Sequence, residues 1–250
     1  MGDFDRKKIV FHGSSLPPGT RSTRLRTPTL KQPLFVADNP EAAVIYASET
    51  SYRPSVFVFQ MKKDPRTFSF DFNQWGQVKK LAPRLPTTAK YLEAYMYSSG
   101  KRFNYEYVIG KSFFNAIRHI ADICSSGLDE ANALYDLKDD DQILIGNVLQ
   151  ELGMGKMDGT TFNPTPELKK LCSSSDDVTI RRLFKSKIYE VIQEMGYNVV
   201  MDMDTTGERI PGNEFAILDL SAIENGIVES MALIDVERNI KYAYEDIFVK

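Results

Sequence analysis

The sequence predicts an α+β fold, with a sheet assembled from both ends of the chain and a helical block between them. Two observations carry this. Short runs rich in β-branched and aromatic residues fill 7–72 and return from Tyr197 onward, whereas 76–195 repeats apolar residues at three-to-four spacing. No polar break is long enough to be a clear interdomain linker, so the expected organisation is a core of 1–75 plus 196–250 carrying a mainly helical insertion at 76–195.

The elements follow in order. Ile9-Val10-Phe11, Leu34-Phe35-Val36 and Val56-Phe57-Val58-Phe59 read as strands, and Thr67–Phe72 alternates apolar and polar residues like a half-buried strand. Asn39 is a good N-cap and Pro40 suits the first helical position, so a helix is expected from there through Tyr46 and Ala47. Tyr105, Ile109, Phe113, Ile117 and Ile120 share one helical face. Leu144, Val148 and Leu152 define a second helix stopped by Gly153, and Ile180, Phe184, Ile188, Val191 and Ile192 a third stopped by Gly196. Polar breaks are expected at Ser125–Gly127, Gly155–Pro166 and Ser173–Ser175. Asn198–Met201 and Glu214–Leu220 read as strands, with one more near Ile227–Val236.

Composition narrows the function classes. The chain has 250 residues, 42% hydrophobic and 26% charged, as in ordinary globular proteins. At a net charge of −3 it carries no overall positive field to recruit nucleic acid or an acidic membrane. Cys124 and Cys172 are its only cysteines, too few for a disulfide framework or a four-thiolate zinc site, which fits a reducing cytosol. No apolar stretch is long enough to span a bilayer, and MGDFDRKK opens on charges where a signal peptide would need an apolar core.

Candidate site residues lie in three blocks. His12 follows an apolar strand and precedes Gly13, which lets a ligand approach the backbone closely; a structural hydrogen-bonding role is the plainer alternative. Phe35 and Tyr46 could be core aromatics, or could sandwich a flat heteroaromatic ring. Between Gly13 and Ala37 the chain has Arg21, Arg24, Arg26 and Lys31 and no acid: a solvated basic loop, or a lid offering guanidinium groups to a pyrophosphate. Glu214 opens a strand after a loop rich in Thr, Gly and Pro, a way to place a carboxylate at a cleft rim. His119 sits inside an amphipathic helix and reads as structural or solvated.

Other chemistries lack the residues they need. Gly153-Met154-Gly155-Lys156 has neither the spacing nor the Ser/Thr of a phosphate-binding loop, and no Gly-x-Gly-x-x-Gly follows a strand. Asp139-Asp140-Asp141 points three adjacent acids in different directions, so no metal site is expected. Two histidines this far apart do not suit a Ser-His-Asp hydrolase.

Together the blocks resemble the diphtheria-toxin and poly(ADP-ribose)-polymerase branch of the ADP-ribosyltransferase superfamily, the His-Tyr-Glu class. Phe11-His12-Gly13-Ser14 is similar to that branch's first strand. Leu34-Phe35-Val36-Ala37-Asp38-Asn39 with Ala43 and Tyr46 is similar to its strand-then-helix element, the two aromatics standing eleven positions apart as in the family. Asn213-Glu214-Phe215-Ala216-Ile217-Leu218-Asp219 resembles its glutamate strand. The likeness covers about half the chain, in short blocks.

The resemblance implies a split, strongly bent β-sandwich with NAD in its cleft. NAD would be consumed as a substrate, with no metal. His12 would bind the ribose of the adenosine half, the Gly13 backbone would hold the nicotinamide carboxamide, and Ser14 would line the same corner. Phe35 and Tyr46 would flank the nicotinamide ring, Arg21, Arg24 or Arg26 would meet the pyrophosphate, and Glu214 would stabilise the cation formed as nicotinamide leaves. The loop Asp202–Asn213 would present the acceptor. Phe35 departs from the family's usual tyrosine, keeping the ring face and losing the hydroxyl. The arginine-serine-glutamate branch fits worse: Phe35-Val36-Ala37 replaces its Ser-Thr-Ser, and Gly212 stands where it often has Glu or Gln.

The expected activity is NAD-dependent mono-ADP-ribosylation of a macromolecule, a protein ahead of a nucleic acid, in the cytoplasm or a host cytosol reached by a toxin. An NAD glycohydrolase and a catalytically silent binding module on the same fold are the alternatives. The segment 76–195 is expected to recognise a target, shield the site or bind a partner.

Overall fold

The computed structural model describes residues 9–17, 19, 21, 27–43, 55–70, 72–97, 113–125, 139–174, 177–203, 213–226 and 231–232. It is a mixed α/β structure of two compact units. One comprises Met1–Thr29, Pro33–Phe68 and Gly196–Lys250, the other Leu30–Gln32 and Ser69–Met195. Strands β1–β10 and helices α1–α5 are numbered in chain order.

The first unit is built on β1 (Ile9–Ser14), β2 (Leu34–Ala37), β3 (Ser55–Met61), β4 (Thr67–Ser69), β7 (Val199–Met203), β8 (Asn213–Ile217), β9 (Ile223–Gly226) and β10 (Met231–Ala232). They form one sheet in the order β10-β3-β1-β2-β8-β7-β4, with β9 also paired to β3. β1 runs antiparallel to β2 and β3, and β8 antiparallel to β2 and β7. Val56, Phe57, Val58 and Phe59 are all buried, so β3 is covered on both faces, which is why it reads as an unbroken apolar run. Val10, Leu34, Val36, Phe57, Phe59, Met61, Val199 and Ile217 form a continuous core cluster with Ala222. The last expected strand, near 227–236, is represented among the described residues by β10; β9 lies just before it.

The alternating pattern at Thr67–Phe72 is only half realised. β4 ends at Ser69, and Phe72–Leu81 is a 3-10 helix. Two contacts within the second unit explain the change. The Ser69 N–H donates to Gln77 Oε1 at 3.1 Å, and the Phe70 ring stacks on Phe113 with centroids 4.0 Å apart and an interplanar angle of 6°. An apolar core draws Phe70 in more strongly than a two-residue extension of an edge ladder could hold it.

The second unit contains α1 (Pro86–Tyr97), α2 (Phe113–Ser125), α3 (Asp139–Glu151), β5 (Gly155–Asp158), β6 (Thr161–Pro164), α4 (Pro166–Ser173) and α5 (Asp177–Glu194). Residues 98–112, which carry the expected helical positions Tyr105 and Ile109, lie outside the described residues. α3 stops where expected: Gly153 takes φ 73°, with Gly153 N–H bonded to Gln150 O and Met154 N–H to Leu149 O, the paired bonds of a Schellman cap. The Glu151 carboxylate then accepts from Thr87 N–H (3.0 Å) and Thr88 N–H (2.7 Å), satisfying orphan donors in the first turn of α1. The expected break at Gly155–Pro166 is instead a hairpin, with Asp158 paired to Thr161 across Gly159-Thr160. Gly159 has φ 60°, the left-handed value a two-residue turn asks of its first residue, and a glycine at that first position is the sequence signal for it. Thr165 caps α4, its hydroxyl accepting from Leu168 N–H with Pro166 at the first helical position.

His119 is structural. It lies 7% exposed in α2, and its Nδ1 pairs with Tyr91 Oη at 2.9 Å, while the Tyr91 hydroxyl donates to Ala116 O at 2.9 Å. The Tyr91 hydrogen is thereby committed, so Nδ1–H is the donor to Oη. Burial lowers the His119 pKa from 6.5 to about 4. The unfolded chain thus takes up a proton first, and the stability contributed by neutral His119 is complete above pH 6.5 and lost as pH falls toward 4. We expect this site to withdraw up to about 3 kcal/mol from the second unit over that window. His119→Gln should flatten the acid limb of unfolding free energy against pH; an unchanged limb would disprove the assignment. Cys124 and Cys172 are both buried thiols outside any disulfide; their mutual hydrogen bond and burial hold the Cys124 thiol well above its ordinary pKa, so it stays protonated.

Candidate functional site

Three sequence blocks, the second and third joined across the 175 positions between Asp38 and Asn213, meet on the consecutive strands β1, β2 and β8. β1 pairs with β3 along its whole length, from Ile9↔Gln60 to Ser14↔Ser55. β2 pairs with β8 along its whole length, from Leu34↔Ile217 to Ala37↔Glu214. Between β1 and β2, by contrast, the register among the described residues is Phe11↔Ala37. Two long ladders therefore meet at a short seam, and His12 is the next residue along it.

His12 bridges that seam. Its Nδ1 lies 2.7 Å from Phe35 O. A carbonyl oxygen only accepts, so Nδ1 carries the hydrogen and the side chain supplies a cross-strand bond where the backbone register has given out. Burial lowers the His12 pKa below 6.5 and outweighs the bond to Phe35, which raises it. The ring is therefore neutral at physiological pH, with Nε2 as an acceptor for a ligand hydroxyl. Gly13 and Ser14 complete the strand. Ser14 is buried; its Oγ accepts from Leu16 N–H at 3.1 Å, and Leu16 O accepts from Ser55 Oγ at 2.8 Å, which pins the chain as it leaves β1.

Side-chain direction follows the register, since opposite residues share a face and alternate residues do not. Phe35 lies two residues from Ala37, so it falls on the same face as Glu214, and both are half-buried. Asp202, opposite Glu214 on β7, joins them and is 1% exposed. His12 pairs with Phe57 and shares the other face with the core cluster, its ring centroid 6.4 Å from that of Phe57. The sheet thus brings Phe35, Glu214 and Asp202 together and leaves His12 at the seam between the ladders.

Asp38 and Asn213 fix the backbone beside Glu214. Asp38 Oδ1 accepts from Asn213 N–H at 2.8 Å, Asp38 Oδ2 from Asn213 Nδ2 at 2.7 Å, and Asp38 N–H donates to Asn213 O at 3.2 Å. Both residues stand in the sequence blocks, yet spacing gives no sign that they bind each other. Asp38→Ala leaves a part-buried N–H without its acceptor and is expected to cost about 1–3 kcal/mol. Amide exchange at Asn213 and Glu214 should accelerate, with Asp38→Asn intermediate because it keeps one acceptor. Unchanged protection in Asp38→Ala would show that the clamp holds nothing.

The following helix begins as expected, with Asn39 Oδ1 accepting from Glu41 N–H at 2.9 Å and residues 40–43 helical. Tyr46, Arg24, Arg26 and most of the loop Asp202–Asn213 lie outside the described residues; Arg21 is described and exposed. Among the described residues no group of three or more His, Cys, Asp or Glu could hold a metal ion, and no helix is long and apolar enough to cross a membrane. Asp202, expected to open the loop Asp202–Asn213, instead lies in β7, buried opposite Glu214.

Compared with known proteins, the chain matches no family model, no curated protein and no solved structure.

Proposed function

We propose that this chain is an NAD-dependent mono-ADP-ribosyltransferase of the His-Tyr-Glu type, acting on a macromolecule, a protein ahead of a nucleic acid, in a cytosolic compartment. The observation that carries the reading is the convergence of the three blocks on β1, β2 and β8 around the seam at Phe11 and Ala37. Such a seam suits a split sheet, with the dinucleotide lying across it and not along one face. That arrangement reconciles His12, which bridges the seam, with Phe35 and Glu214 on the neighbouring ladder.

The residues fit the substrate. The neutral His12 ring has Nε2 available to accept a ribose hydroxyl. Gly13 brings no side chain between the strand and the carboxamide, and the half-buried Phe35 gives one apolar wall for nicotinamide, with Tyr46 as the second. Glu214 supplies negative charge where the glycosidic bond breaks: the bonding pair leaves with nicotinamide, and positive charge builds on the ribose. The acceptor's lone pair then forms the new bond, its proton passing to Glu214 or solvent. Arg21, Arg24 and Arg26 offer guanidinium groups to the pyrophosphate, and the helical unit is read as the surface for a target or partner.

The test is incubation with NAD labelled in the ADP-ribose part, with lysate, following nicotinamide release and transfer of label together. Transfer that Glu214→Ala abolishes supports the transferase. Release with label recovered only as free ADP-ribose supports a glycohydrolase. NAD that fails to bind at all overturns both, and leaves the silent binding module, the reading that the missing Phe35 hydroxyl favours.

A further inference from the structure

We propose that Cys124 and Cys172 form a reversible disulfide that staples α2 to α4, closed by exchange with a small-molecule disulfide such as oxidised glutathione. They are the only two cysteines among 250 residues, and the fold brings them together inside the second unit. Their thiols are hydrogen-bonded to each other, with Cys124 fully buried and Cys172 5% exposed. A thiol–thiol hydrogen bond already sets one sulfur against the other. Closing a bond of about 2.0 Å then asks for a short approach and no exchange of neighbours.

While both helix ends are closed the pair is unreactive, because burial and the mutual bond keep the Cys124 thiol protonated. Access comes from position. Each cysteine is the last residue but one of its helix, followed by Ser125 in α2 and by Ser173 in α4. α4 has only eight residues, and Ser173 and Ser174 at its end are exposed. The hydroxyl bonds that close its final turn, Ser173 Oγ to Lys169 O and Ser174 Oγ to Leu171 O, are exposed too. Opening that turn uncovers Cys172 at far lower cost than unfolding the unit.

The Cys172 thiolate then attacks one sulfur of the small disulfide and expels the other as a thiolate. As the turn closes, Cys124 gives up its proton and attacks Cys172 Sγ. That step forms the Cys124–Cys172 bond and expels the second small thiolate. Both cysteine protons end on the two small thiols released, so two protein thiols are oxidised and one small disulfide is reduced. The loop closed in this way holds α3 and the β5–β6 hairpin, and such a cross-link stabilises by restricting the unfolded chain. In a compartment rich in reduced glutathione the pair stays a dithiol; in an oxidising one it closes and the unit is harder to open.

The inference does not depend on the NAD chemistry. The reduced, intact chain is incubated with oxidised glutathione, in buffer and in urea just below the unfolding transition, and analysed by intact mass and peptide mapping. The expected product lacks two hydrogen atoms, carries no glutathione and links the Cys124 and Cys172 peptides. The thermal midpoint of the second unit should rise by about 5–15 °C and return on adding dithiothreitol. Cys124→Ala and Cys172→Ala should each show no rise, and either one, folded, serves as the control. Thiols that stay free in both solutions overturn the proposal and leave two small apolar side chains packed together. Glutathione adducts that never resolve, a disulfide that lowers the midpoint, or a rise that persists in a folded single-cysteine variant overturn it as well.

Discussion

Glu214→Ala is expected to slow nicotinamide release by roughly two to three orders of magnitude, the effect of losing one electrostatic stabiliser worth about 2–4 kcal/mol. The physical reason is that positive charge develops only as the glycosidic bond breaks, so a carboxylate beside it lowers the barrier far more than it tightens NAD binding. The NAD dissociation constant should therefore change much less than the rate. The fold should survive, because Glu214 is half-buried and its backbone is held by Ala37 on one side, Asp202 on the other and the Asp38–Asn213 clamp next to it. Initial rates of nicotinamide formation, with amide exchange on β8 as a check of the fold, decide the matter. A folded variant that keeps most of the rate would remove Glu214 from the chemistry.

Phe113→Ala is expected to destabilise the second unit by about 3–5 kcal/mol, a large share of the stability of a unit this size. Phe113 is fully buried, stacks on Phe70 at 4.0 Å and meets Tyr189 at 6.1 Å, so truncation empties space bounded by two other rings. Urea unfolding followed by fluorescence or amide exchange measures the loss. Phe113→Leu retains most of the apolar volume and should recover more than half of it. A loss below about 1 kcal/mol in Phe113→Ala would mean that the surrounding helices collapse into the gap.

Local patterning made much of the fold legible. Alternation and apolar runs locate β1, β2, β3, β7 and β8, and the three-to-four spacing locates α2, α3 and α5, because those periods are set by backbone geometry within a few residues. Asn39 and Gly153 mark helix ends for the same reason: their bonds reach only two to five positions. The misses have a different range. Phe70 leaves the strand pattern for a ring more than forty positions away, and the hairpin at Gly155–Pro164 was hidden by polar residues although Gly159 marks the turn. Glu151, at the end of one helix, caps another that begins sixty-odd positions earlier, which no window of sequence contains.

The same division runs through the candidate site. The sequence by itself determined the cast: His12-Gly13, the aromatic-bearing strand and the glutamate strand, each recognisable by residue type and local spacing. Only the tertiary structure decided how they stand to one another. It joined β1 to β2 at Phe11 and Ala37, gave His12 Nδ1 to the Phe35 carbonyl, clamped Asp38 to Asn213, and set a buried Asp202 opposite Glu214. Residue chemistry and local propensity are written in neighbours along the chain, whereas register is chosen by the burial of whole faces against strands contributed from its far end.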